Sequence, residues 1–168
     1  MKHYFLDLRT KSQLKNNKSI RESKAYADAK IVGILFTVED KKKHEGIKDL
    51  MHRLEKDGKK VEVFCFLPEG KDNYEFMFDF LTLKDISIWG EIQSSQAQKF
   101  CNTAFDYLYY IDTEPNPILM NLIARSKALC RIGRHWDNGH PFFELMIESP
   151  NDTKSLIESI YKYSIQIK

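Results

Sequence analysis

Apolar residues recur along the chain in two alternating rhythms. Ile31-Val32-Gly33-Ile34-Leu35-Phe36 is an unbroken apolar run of strand length, as expected of a strand covered on both faces. From His44 to Lys56 the rhythm changes: Ile47, Leu50, Met51 and Leu54 fall on one helical face, and Gly58 follows as a stop. Val61 to Leu67, closed by Pro68, is rich in β-branched and aromatic residues and predicts a second strand.

The stretch from Tyr74 to Gly90 is less regular. Phe76-Met77-Phe78-Asp79-Phe80 predicts one short strand, while Ile86, Ile88 and Trp89 fit either another strand or the lining of a loop. Ser94 or Ser95 then caps a helix carrying Ala97, Phe100, Cys101 and Ala104, and Tyr107 to Ile111 reads as a strand. Asn116 caps a further helix with Pro117 in its first position. Strands are predicted at Leu129 to Gly133 and Phe142 to Glu148, with Asp137-Asn138-Gly139 between them as a turn that favours an antiparallel hairpin. Asp152 caps a final helix whose Ile157, Ile160, Tyr161 and Ile165 share a face.

Ahead of the first strand, Tyr4, Phe5, Leu8, Leu14 and Ile20 make a weak apolar stripe, predicting a helix broken at Asn16-Asn17. The whole order predicts a three-layer, Rossmann-like α/β fold: a mostly parallel sheet with an antiparallel edge hairpin, preceded by the N-terminal helix. Residues 1–28 are expected to form a basic helical arm and residues 29–168 a single α/β domain.

Charge sharpens that division. The 168 residues carry a net charge of +2, too little to draw the chain as a whole onto nucleic acid. Residues 1–30, however, hold eight basic and three acidic side chains. The bland reading of this segment is a solvated amphipathic helix; binding to RNA, an acidic lipid surface or a protein is the alternative. Lys41-Lys42-Lys43 reads as a solvated start to the first crossover helix. Cys65, Cys101 and Cys130 are odd in number, far apart and set among apolar neighbours, the usage of a reducing compartment. With no hydrophobic leader and no run of membrane-spanning length, the expected location is the cytoplasm.

In an open α/β sheet a ligand lies outside the carboxyl ends of the strands. This nominates Thr37 and Glu39 after the first strand, Asp112, Thr113 and Asn116 after the tyrosine-rich strand, and Arg134 and His135 at the hairpin. Asp112 beside His135 would hold a base, and Arg134 would clamp a phosphate. The bland reading makes Asp112 and Thr113 turn residues, and Arg134 and His135 solvated. His135, Asp137 and His140 do not complete a metal set, so no metal is expected. The glycine patterns of dinucleotide and P-loop phosphate sites and of the serine nucleophile elbow are missing from the sequence. No catalytic residue and no cofactor is therefore assigned. Tyr107, Tyr109 and Tyr110 read as strand packing.

Ile34-Leu35-Phe36, Asp57 to Val61, Lys84-Asp85-Ile86, Phe105 to Leu108, Ala124 to Ala128 and Arg131-Ile132-Gly133 together resemble a small bacterial domain-of-unknown-function family, over residues 25–150. Phe105 to Gly133 also resembles, more distantly, the amino-terminal half of heptosyltransferase-type glycosyltransferases, where a strand ending in Asp, a helix and an Arg-x-Gly strand recur. That resemblance implies a shared Rossmann-like fold. Those enzymes have a Gly-Asp pair where this chain has Thr37-Val38-Glu39-Asp40, and a second, nucleotide-sugar-binding domain. The expected function is a non-catalytic module that binds a protein partner or small ligand, with a second copy as one such partner. The alternatives are a sugar-phosphate or nucleotide-sugar-binding enzyme, and nucleic-acid binding through the basic arm; nucleic acid is not the expected partner.

Overall fold

The structure, a computed structural model, describes residues 1–72, 74 and 78–168. Helix α1 (Lys2–Asn16) leads into β1 (Ile31–Thr37), α2 (Lys41–Lys56), β2 (Lys60–Phe66), β3 (Asp79–Leu81), α3 (Ser95–Asn102), β4 (Tyr107–Tyr110), α4 (Pro117–Arg125), β5 (Cys130–Arg134), β6 (Leu145–Ile147) and α5 (Thr153–Ser164). Six strands form one sheet in the order β3-β2-β1-β4-β5-β6. All neighbouring pairs are parallel, which makes this a Rossmann-like, three-layer α/β fold whose strand order reverses between β1 and β4.

The continuous apolar run in β1 follows from burial on both sides. Leu35 joins a cluster with Phe64, Phe100, Leu119 and Ile123, beneath α3 and α4. Val32, Ile34 and Phe36 join the other cluster, with Ile47, Leu50, Leu54 and Ile160 from α2 and α5. Side chains alternate across a strand, so apolar neighbours are needed at every position when both faces are covered. Tyr107, Tyr109 and Tyr110 are buried in the same way on β4.

The helix boundaries are set locally. Asp40 accepts from the Lys43 N–H at the start of α2, Ser94 from Ala97 at α3, and Asp152 from Ser155 at α5. Each supplies an acceptor for an otherwise unpaired N–H of a first turn. Gly58, with φ +84°, ends α2 in the left-handed conformation.

The predicted hairpin is corrected. Residues 135–144 do turn, with Gly139 N–H donating to Trp136 and Phe142 N–H to Gly139. The chain then runs back to the start of β5, where the Glu144 N–H donates to the Arg131 carbonyl, and β6 sets off parallel to β5. Ten residues suffice because β5 has only five to traverse. Glu144 is clamped there by Arg131, through Nη2 at 2.8 Å and Nε at 3.0 Å. Phe143 packs directly under Gly133, where a Cβ would lie 2.7 Å from the ring. Phe142 and Phe143 thus belong to the crossover, and β6 begins only at Leu145.

Between β2 and α3, Phe80 falls in β3, and Phe76 and Met77 of the predicted strand lie outside the described residues. Ile86 pairs with Ile92 in an isolated bridge around a loop containing Ile88 and Trp89. Helix α1 ends where the asparagine pair stands: Asn17 turns away and its Nδ2 donates to the carbonyls of Ala124 and Ser126. The helix lies along α4 through buried Leu6 and Thr10, and Asn121 Nδ2 donates to Thr10 Oγ1 at 2.9 Å.

Candidate functional site

The crossovers from β1 and β4 leave in opposite directions, which opens a crevice between the carboxyl ends of the two strands. Its floor is a connected set of polar side chains. Asp112, two residues beyond β4, accepts from the Thr37 N–H at 2.9 Å through Oδ1 and from the Thr37 hydroxyl at 2.6 Å through Oδ2. Lys43 Nζ, from the first turn of α2, donates to Asp112 Oδ1 at 2.6 Å. The side chains of this ion pair are only 4% and 7% exposed. A second, solvent-facing carboxylate, Glu39, stands 3.4 Å from the same ammonium.

Asn116 closes the other side. Its Nδ2 donates to Thr37 Oγ1 at 2.9 Å, while its Oδ1 accepts from the Ile118 N–H at 2.9 Å and caps α4. The loop between Asp112 and Asn116 is held from below by Tyr110, whose hydroxyl donates to the Glu114 carbonyl and accepts from the Asn116 N–H. Burial, followed by the nearby Asp112 carboxylate, pushes the Tyr110 phenol well above its usual value, so it stays a neutral donor.

Above this floor is a cleft of about 610 Å³, lined by Phe66, Leu83 and Ile118 on its apolar side and by His3, Glu39 and Thr113 on its polar side. A neighbouring cleft of about 540 Å³, between the starts of α2 and α5, shares Glu39, Lys43 and Thr113. Lys43 therefore lines both concavities, and Asp112 the larger-volume one of the two.

The structure brings Thr37, Glu39, Asp112, Thr113 and Asn116 to this crevice, and leaves Arg134 and His135 out of its floor. Arg134 ends β5 on the same rim, but its Nε donates to the Ser149 carbonyl at 3.0 Å. His135 Nδ1 lies 3.3 Å from Glu148. The partner of Asp112 is Lys43, which sequence reasoning had placed in solvent. A triple lysine at a helix start carries no local mark of which member turns inward. Its third member does so because a buried carboxylate stands just beyond the end of β4, the strand beside β1.

The helix starts around the crevice already hold acceptors. Asp40 occupies the N-terminus of α2 and Asn116 that of α4. An incoming phosphate would meet Asp40 where phosphate-binding folds leave free N–H groups. Among the described residues no three His, Cys, Asp or Glu side chains cluster so as to hold a metal ion, and no helix is long and apolar enough to cross a membrane.

Residues 2–166 match DUF6913, a family of unknown function. The chain belongs to this family. The DUF6913 match spans nearly the whole chain, so it takes in α1 as well as the sheet, wider than the 25–150 of the resemblance in the sequence. No curated protein and no solved structure matches the chain.

Proposed function

We propose that the protein is a non-catalytic binding module that takes a small ligand in the crevice between β1 and β4. The observation that carries this reading is the commitment of Asp112: one oxygen accepts from Lys43 and the Thr37 N–H, the other from the Thr37 hydroxyl. A general base needs an oxygen within reach of the proton it removes, whereas this carboxylate acts as a clasp joining β1, α2 and β4.

The ligand that fits best is neutral or cationic, presenting hydroxyl or amine donors to Glu39, Thr113 and the loop carbonyls, and an apolar side to Phe66, Leu83 and Ile118. Asp40 and Glu39 disfavour a phosphate at the same place. The three cysteines, all free and buried, support a reducing compartment such as the cytoplasm.

Thermal-shift screening with polyols, amino compounds, phosphosugars and nucleotide sugars tests this. The expected result is a rise in Tm with an unphosphorylated ligand, lost in Thr113→Trp, which fills the cleft, and no consumption of that ligand over hours. Turnover abolished by Asp112→Asn would overturn the reading. A shift with phosphosugars or nucleotide sugars alone would replace it with the glycosyltransferase-related one.

A further inference from the structure

The solvent side of α1 carries an apolar strip joined to the loop before α3. Tyr4 and Leu8, one turn apart, are 65% and 45% exposed, and Ile88 and Trp89 of the loop are 61% and 57% exposed. These are two parts of one surface. The Phe5 and Trp89 rings meet edge to face at 5.2 Å, and Arg9 Nε donates to the Trp89 carbonyl at 2.9 Å. Gly90, with φ +70°, sits so close to the helix that a Cβ there would lie 2.3 Å from the Leu6 nitrogen. The strip is therefore held in place by the fold.

Its surroundings are cationic. Helix α1 carries Lys2, Arg9, Lys11 and Lys15, and Lys84 is exposed just ahead of the loop. The single carboxylate on α1, Asp7, is paired with Lys11 at 2.9 Å. Of the loop's carboxylates, Asp85 is held by Thr82, at 2.7 Å to its N–H, and Glu91 is exposed.

Three kinds of occupant can be weighed against this chemistry. Two copies face to face would bring cations onto cations. Four part-exposed residues also offer roughly 500 Å², short of the ~800 Å² per partner of a stable interface. A nucleic acid would use the cations and the aromatic rings but has nothing for Leu8 and Ile88. An anionic bilayer uses all of them: Tyr and Trp at the headgroup level, Leu and Ile below it, and Lys and Arg against the lipid charges. We propose that this face docks the protein on an anionic lipid surface. The proposal is independent of the crevice and its ligand.

The test uses the full chain with Trp136→Phe, which leaves Trp89 as the only indole, mixed with vesicles of phosphatidylcholine alone or with phosphatidylglycerol. Expected are co-sedimentation and a blue shift of Trp89 emission with the anionic vesicles only, weakening ~tenfold or more from 0.1 to 0.5 M salt. Lys11→Glu with Lys15→Glu should weaken binding at least ~tenfold, and Leu8→Ser with Ile88→Ser should remove the blue shift. If Trp136→Phe does not fold, quenching of the wild-type protein by brominated lipids gives the same readout. Failure to bind anionic vesicles, or binding indifferent to Leu8→Ser with Ile88→Ser, would overturn the proposal. So would an RNA oligonucleotide binding through these residues in place of vesicles, or a dimer that the serine variants dissociate.

Discussion

The Lys43 ammonium lies 2.6 Å from the Asp112 carboxylate, with both side chains almost wholly out of water. The pair ties the start of α2 to the end of β4, across β1, at the point where the strand order reverses. Removing one charge strands the other in a site with little solvent. Asp112→Ala should lower unfolding stability by ~3–5 kcal/mol in urea titration, because breaking a buried pair costs more than the pair contributes. Combining it with Lys43→Met should recover part of that loss. A double variant destabilised by the sum of the Asp112→Ala and Lys43→Met losses would show that the two charges are not coupled.

Gly90 controls the docking of α1. An alanine there would need a left-handed backbone and would drive its Cβ into the Leu6 nitrogen. Gly90→Ala is expected to destabilise by ~1–3 kcal/mol. Hydrogen exchange should show α1 amides losing protection while β1 and β4 keep theirs, because α1 rests on α4 and the loop and lies outside the sheet. Uniform loss of protection through the sheet would contradict this.

Asp106 gives the fold an acid limit. Burial acts to raise its carboxyl, but the Lys24 ammonium and the N–H groups of Ile31 and Lys30 outweigh burial and hold it below the usual carboxylate range. A depressed value in the folded state means that the unfolded chain binds the proton more readily. Asp106 thus adds stability that is complete above about pH 5, and that drains away as the pH falls through the folded value. The urea midpoints of wild type and Asp106→Asn should differ more at pH 6 than at pH 3. The same gap at both would remove this account.

Buried thiols should be silent until the protein opens. Burial pushes Cys65 up to about 12 and Cys101 up to about 11, and raises Cys130 as well. The thiolate is the reactive form. A disulfide reagent at pH 8 should therefore modify none of the three within minutes in the native protein, and all of them in denaturant. Rapid modification of any one in the folded state would show an opening that this packing does not contain.

Where local chemistry decides, the elements are legible along the chain. Asn116-Pro117 starts α4 through an amide cap and a preset φ, and Asn17 ends α1 by turning its side chain to α4. Asp137-Asn138-Gly139 shows where such reasoning stops. The turn it predicts exists, yet the strand that follows is parallel, because Arg131 captures Glu144 at the start of β5 and Gly133 leaves room for Phe143. Neither interaction is visible in a turn motif.

Most strands and helices were legible along the chain, because burial on one or two faces writes its period into the order of apolar residues; the start of β6 and the loop carrying Ile88 and Trp89 were not. The direction of β6 and the partner of Asp112 came from contacts between segments far apart in the chain. Strand direction depends on contacts made after the chain has turned, and Lys43 reaches Asp112 across 69 residues. Periodicity records how much of a segment is covered, and it holds no information about what covers it.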